Sequence, residues 1–255
     1  MRVIGFFVLC FAAVSAIPSN ANRNIGGSLT NVQSYPSIAV LLRWFPGNEF
    51  RQRCGGVIAT NRAILTAAHC IDTDATFRWR VRVGTTSQIF PWFGWTYDVS
   101  SIVVHSAYGS GGVEHNNDIA IMRLSRNLQI NQNVFPALIA GVNYNVPDNA
   151  IVWTAGWGVT VPERPLSTEL HHVQINTINQ SVCNDRHGGS LTANMLCAGW
   201  LSGGAVTCTS DSGGPLYHNG VVVGIVSFRN DCSDPALPGI YTRVSKYSSW
   251  IKLHT

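Results

Sequence analysis

Three short stretches of this chain carry side chains that can do chemistry together. Ser212 lies in Asp211-Ser212-Gly213-Gly214-Pro215, where a hydroxyl is followed by two residues without side chains that let another backbone come close. A serine hydroxyl is a poor nucleophile at its own pKa and needs a neighbouring base. Thr66-Ala67-Ala68-His69-Cys70 offers an imidazole beside a cysteine able to fix its backbone. An imidazole that must accept a proton needs a carboxylate to hold its tautomer and stabilise the cation, and Asn117-Asp118-Ile119-Ala120 supplies one at the start of an apolar run. Each stretch alone has a bland reading as a turn, a structural histidine or a strand-end cap. Read together, they predict nucleophilic catalysis by Ser212, His69 and Asp118.

The elements that must position these residues read as sheet. The chain has 255 residues, 24 of them Gly, and only 12% charged residues, a low fraction that favours an all-β fold of one large or two medium domains. Period-two or β-rich apolar stretches stand out at 37–42, 57–65, 150–154 and 221–227. In Arg78-Trp79-Arg80-Val81-Arg82-Val83 the arginines are expected to face water. Only the last stretch, about 245–253, has helical spacing, through Tyr247, Trp250 and Ile251.

The first residues read as a secretory signal: Arg2, an apolar run over 3–14, and the small-residue site Val14-Ser15-Ala16. That run is too short to span a bilayer, and no later stretch is longer, so no membrane partner is expected. Removing Arg2 and Arg23 leaves 15 basic against 13 acidic side chains, too weak a field for a nucleic-acid partner. Cys10 departs with the signal and leaves Cys54, Cys70, Cys183, Cys197, Cys208 and Cys232, an even set suited to three disulfides in an oxidising compartment. Their spacing does not match a structural zinc site, Cys183 and His187 excepted, and that sulfur is expected in a disulfide. His171, His172, His187 and His218 read as surface residues.

In the order His, Asp, Ser, the three stretches resemble the trypsin/chymotrypsin-like serine proteases. So do Cys54-Gly55-Gly56, Ala155-Gly156-Trp157-Gly158 and Pro238-Gly239-Ile240-Tyr241-Thr242-Arg243-Val244. The resemblance runs from Asn24 to the C-terminus, and over 61–70 and 192–199 the wording is closest to insect midgut enzymes of the lepidopteran type. It implies two six-stranded antiparallel β-barrels meeting near 135–141: a signal over 1–16, an activation propeptide over 17–23, barrel 1 over about 24–137, barrel 2 over about 138–244 and a helix over about 245–253. It implies the pairs Cys54–Cys70, Cys183–Cys197 and Cys208–Cys232. It also implies cleavage after Arg23, pairing of the freed Asn24 amine with Asp211, and an oxyanion hole from the N–H groups of Ser210 and Ser212. No cofactor or metal is called for. The expected partners are protein or peptide substrates, an activating protease and protein protease inhibitors, the chain itself being a secreted monomer.

The chain departs from the family at several points. Asn24 stands where Ile or Val is usual, and burying its amide costs free energy unless it is partnered. Ser210 replaces a Gly, placing a side chain where it would crowd rigid protein inhibitors. Val206 occupies the pocket-floor position where cleavage after Arg or Lys needs a carboxylate; a guanidinium buried above it would lack a counter-charge, at a cost of several kcal/mol. Gly239 keeps one pocket wall open, while Ser227-Phe228-Arg229 puts a long side chain at the other, and extended substrate is expected to pair with the backbone of 227–229. The sequence therefore predicts a preference for small or medium apolar residues on the acyl side of the cut bond, with selection of Asp or Glu by an inward Arg229 as the second choice. Fifteen arginines against two lysines, Lys246 and Lys252, suit a strongly alkaline gut lumen, because Arg keeps its charge where Lys titrates. The reading from a different class is a catalytically impaired homologue that binds proteins through the same cleft. Asn179-Gln180-Ser181 is a glycosylation sequon.

Overall fold

The computed structural model describes residues 27–47, 49–71, 74–88, 94–158, 167–201, 211–228 and 237–255. The calls on the signal, Arg23, Asn24, Val206, Cys208, Ser210, Arg229 and Cys232 lie outside the described residues.

Strands β1 (Ser28–Leu29), β2 (Ile38–Phe45), β3 (Glu49–Ile58), β4 (Ala63–Thr66), β5 (Trp79–Val83), β6 (Trp95–Val104) and β7 (Ala120–Leu124) occupy the first half. β8 (Leu138–Ile139), β9 (Ile151–Gly156), β10 (His171–Ile178), β11 (Met195–Gly199), β12 (Pro215–His218), β13 (Val221–Phe228) and β14 (Gly239–Arg243) occupy the second. Among the described residues three short α-helices accompany them: α1 (Ala68–Ile71), α2 (Gln180–Arg186) and α3 (Ser248–His254).

β2-β3-β4-β7-β6-β5 close into an antiparallel barrel. The ladder β10-β11-β14-β13-β12-β9 closes a second one through the β9–β10 pairing, with β1 added beside β10 and β8 lying parallel to β13. Closure pairs each barrel strand on both sides, and alternate side chains fill each interior. In β5, Trp79, Val81 and Val83 are buried while Arg80 is exposed and Arg82 half-buried, the arrangement expected from the alternating Trp/Val and Arg. Leu41, Val57, Leu65, Ile121 and Met122 fill the same core. Each fully buried aliphatic side chain stabilises by about 1.5–3 kcal/mol.

The linker crosses from one barrel to the other in a few residues. Phe135 N–H donates to Pro36 O and Ala137 N–H to Ile58 O on the first barrel, then Ala140 N–H donates to Val222 O on the second, with N···O distances of 2.9, 2.9 and 3.0 Å.

Two local expectations need correction. The stretch 57–65 is not one strand but the end of β3, a turn over 59–62 and the start of β4, closed by Ala59 N–H to Ala63 O at 2.8 Å. The C-terminal stretch is helical, as its spacing predicts, but it is not the only helix. α2 begins at Asn179, whose side-chain oxygen accepts from the N–H groups of Ser181 and Val182. The sequon asparagine is therefore a helix cap. Its side-chain nitrogen donates to Asp148 Oδ2 at 2.6 Å.

Candidate active site

Register places His69 beside Asp118. Thr66, the last residue of β4, is paired with Ala120, the first of β7, so the two chains leave the barrel side by side. His69 sits three residues beyond one end and Asp118 two residues before the other. His69 Nδ1 lies 2.8 Å from Asp118 Oδ2, and His69 N–H donates to Asp118 Oδ1 at 2.9 Å. An ionised carboxylate only accepts, so Nδ1 carries the hydrogen and Nε2 keeps its lone pair in the neutral ring. The imidazole remains partly open to solvent, with 22% of its side chain exposed against none for Asp118.

A wholly buried carboxylate needs further partners. Barrel 2 provides them. Between Val226↔Tyr241 and Phe228↔Ile240 the β13–β14 register slips by one residue, leaving Ser227 as a bulge. Its hydroxyl donates to Asp118 Oδ2 at 2.5 Å, and Thr242 Oγ1 donates to the Asp118 backbone oxygen at 2.6 Å. Burial alone would push the Asp118 carboxyl up, but the hydrogen bonds and charge of His69, with the Ser227 hydroxyl, outweigh it and hold the group below its ordinary value. Sequence reasoning placed Ser227 in the substrate cleft and gave Thr242 no role. The bulge that turns Ser227 inward depends on strand register, for which the sequence holds no local sign. Asn117 adds a further tie: it adopts φ 57°, its amide donates to Ala107 O, and its side-chain oxygen accepts from Tyr247 and Asn194.

Ser212 is held by the two glycine motifs interlocking. Gly55 N–H donates to Ser212 O at 2.8 Å, and Gly213 N–H donates to Val226 O at 2.7 Å. Gly213 has φ +82°, and a β-carbon there would collide with Thr66 Oγ1, so only glycine fits. The Cys54–Cys70 disulfide, spanning 16 residues, sits in the same place: Cys70 Sγ is 3.6 Å from Ser212 O and 3.8 Å from His69 Nε2. Closing a loop of that length stabilises by about 3 kcal/mol. The structure thus joins His69 to Asp118 and brings the Ser212 backbone against the same disulfide. Among the described residues no hydrogen bond joins Ser212 Oγ to His69. Contacts of this kind often tighten only when substrate binds.

Asp211 turns away from this cluster. Its Oδ1 accepts from Gly158 N–H at 2.8 Å, and its carboxylate packs so closely on Gly156 and Gly158 that a β-carbon at either would overlap it. That contact explains the two glycines of Ala155-Gly156-Trp157-Gly158. Burial pushes the Asp211 carboxyl up to about 7, the Gly158 N–H opposing it. Gly239, on β14, is buried beneath Tyr241, where a β-carbon would be tight at 3.3 Å. Cys183 and Cys197 form the second disulfide, tying α2 to β11. His187 corrects the surface reading: it is only 6% exposed, with Nε2 3.1 Å from Pro238 O, because the C-terminal end of α2 is packed under the segment leading into β14. His171, His172 and His218 are partly exposed.

A family model described as Trypsin matches residues 24–251. "Trypsin, alkaline B" of Manduca sexta is 49% identical over 98% of this chain and 97% of its own length. Trypsin CFT-1 of Choristoneura fumiferana is 43% identical over 99% of each. Among solved structures, neuropsin, a serine protease expressed in the limbic system of mouse brain, superposes with a TM-score of 0.78 at 33% identity, covering 89% of this chain and 98% of that one. Two closed barrels, the identity over nearly the full length and the family match agree: the chain belongs to the trypsin family of serine endopeptidases.

Proposed function

We propose that the chain is a secreted digestive endopeptidase, released from its signal over 1–16 and activated by cleavage after Arg23, in which Ser212, His69 and Asp118 form the catalytic triad. The observation that carries this reading is the hydrogen-bonded series Ser227 to Asp118 to His69, set against the backbone of Ser212. Ser212 Oγ attacks the substrate carbonyl and passes its proton to His69 Nε2. The imidazolium is stabilised by Asp118, and the proton then goes to the leaving amine. Water, activated in turn by His69, hydrolyses the acyl-enzyme. The N–H groups of Ser210 and Ser212 face the transient oxyanion, each donor contributing about 2.7–4 kcal/mol.

The proposed preference is for apolar residues on the acyl side of the cut bond, resting on Val206 and Arg229 at the sequence positions that the family resemblance assigns to the pocket floor and mouth. The word alkaline in the name of the Manduca sexta relative accords with the arginine-for-lysine bias and with an alkaline gut lumen. A peptide library presented to the Arg23-cleaved protein tests the reading. Cleavage after Ala, Val, Leu or Phe, lost in Ser212→Ala, is expected; efficient cleavage after Arg or Lys would overturn the preference, and no cleavage the function.

A further inference from the structure

His115 has no place in the chemistry above, yet it lies against it. Its ring meets that of His69 edge-on, with centroids 5.5 Å apart and planes at 73°, and is stacked on Phe228 at 4.8 Å. His69, His115 and Asp118 offer potential ligand atoms that all lie within 4.8 Å of one another. His115 Nδ1 is buried and has no hydrogen-bond partner among the described residues. The neighbouring cluster of Cys54, His69 and Cys70 offers no thiolate, since its two sulfurs are bonded to each other.

Two imidazoles bound to one tetrahedral Zn²⁺ at about 2.05 Å have ring centroids about 5 Å apart. The observed centroid separation of 5.5 Å is close to that value. Histidine ligands commonly donate their other ring hydrogen to a carboxylate, which fixes the tautomer and raises ligand basicity. Asp118 does this to His69 at 2.8 Å, leaving Nε2 as the free lone pair. Phe228 restrains the second imidazole from one face.

We propose that His69 Nε2 and a ring nitrogen of His115 bind a divalent transition-metal ion that imidazole favours, Zn²⁺ being the probe, and that the bound ion shuts off hydrolysis. Two protein ligands leave the remaining positions to water, so binding is reversible by chelators. The ion occupies the lone pair that would receive the Ser212 proton, and the site is thus a metal-operated brake. The loss of hydrolysis rests on the proposed role of His69; binding of the ion does not.

The test uses two readouts. Calorimetric titration of ZnCl₂ into the Arg23-cleaved Ser212→Ala protein, which cannot digest itself, reads binding. The ratio of peptide-hydrolysis rates with and without Zn²⁺ in otherwise native protein reads inhibition, so an effect of substitution on the basal rate cancels. His115→Leu and the more conservative His115→Gln are both made, and their melting temperatures checked, so that one misfolded variant decides nothing. Zn²⁺ binding and EDTA-reversible inhibition are expected, both weakened about ten-fold or more in the His115 variants. Equal binding or equal inhibition with and without His115 overturns the proposal. His115-dependent binding in a protein that hydrolyses no peptide supports the metal site and overturns the proposed function instead.

Discussion

The hydroxyl of Ser227 donates to Asp118 Oδ2 at 2.5 Å across the junction of the two barrels. It is a hydrogen bond to a buried charge, of a kind that contributes about 1.5–3 kcal/mol. Ser227→Ala should therefore lower kcat/KM by about ten- to a hundred-fold while leaving the barrels folded. Steady-state kinetics on the cleaved protein checks this, and an unchanged kcat/KM would show that Asp118 is held well enough by His69 alone.

Asp118 also links the site to acid stability. Its carboxyl is held below its unfolded value, so the stabilisation is fully present above about pH 4 and is lost as pH falls through the folded value. Asp118→Asn should lose less melting temperature on acidification below pH ~4 than the parent does. The same variant should lower kcat by about four orders of magnitude, because an amide does not enforce the tautomer.

Asp211 has the opposite sign. Its carboxyl, pushed up to about 7 by burial, takes up a proton on folding, so stability of the uncleaved chain should fall as pH rises from about 4 to 7. An Arg23→Gln precursor should show this decline in melting temperature, and Arg23→Gln/Asp211→Asn should flatten it. In the cleaved protein, pairing with the Asn24 amine would lower the carboxyl again, and the decline should disappear.

The pocket preference has a direct converse. Placing a carboxylate at the proposed floor position with Val206→Asp should raise kcat/KM for Arg or Lys substrates by about a hundred-fold or more, the counter-charge offsetting a desolvation cost of several kcal/mol. The measurement is a pair of fluorogenic peptides differing only in that residue. If the parent already prefers Arg, Val206 does not set specificity.

Much of the fold and of the candidate site could be read directly, because short-range chemistry writes itself into short motifs. The alternation in Trp79-Arg80-Val81-Arg82-Val83 predicts which side of β5 is buried, and the cysteines of Cys54–Cys70 and Cys183–Cys197 pair as the family resemblance implies. Contacts made across strands were not legible. Ser227 reaches Asp118 because β13 is bulged against β14, His115 meets His69 from a segment that His105 N–H closes by donating to Ile119 O, and His187 is buried by a segment 51 residues away. Helix α2 was missed because its cap, Asn179, belongs to a seven-residue helix too short to show a periodic apolar face. The glycines of Cys54-Gly55-Gly56 and Ala155-Gly156-Trp157-Gly158 were visible as motifs, but their reason is tertiary: Gly55, Gly156 and Gly158 pack closely on the 211–214 segment, and Gly56 on Ile64.

The central claim is that cleavage after Arg23 leaves Ser212 activated by His69. Labelling of the cleaved protein with a fluorophosphonate, followed by peptide mapping, tests it most directly. The account predicts one label, on Ser212, absent in Ser212→Ala and strongly slowed in His69→Ala. A folded, correctly cleaved protein that takes up no label, or takes it up as fast without His69, would contradict it.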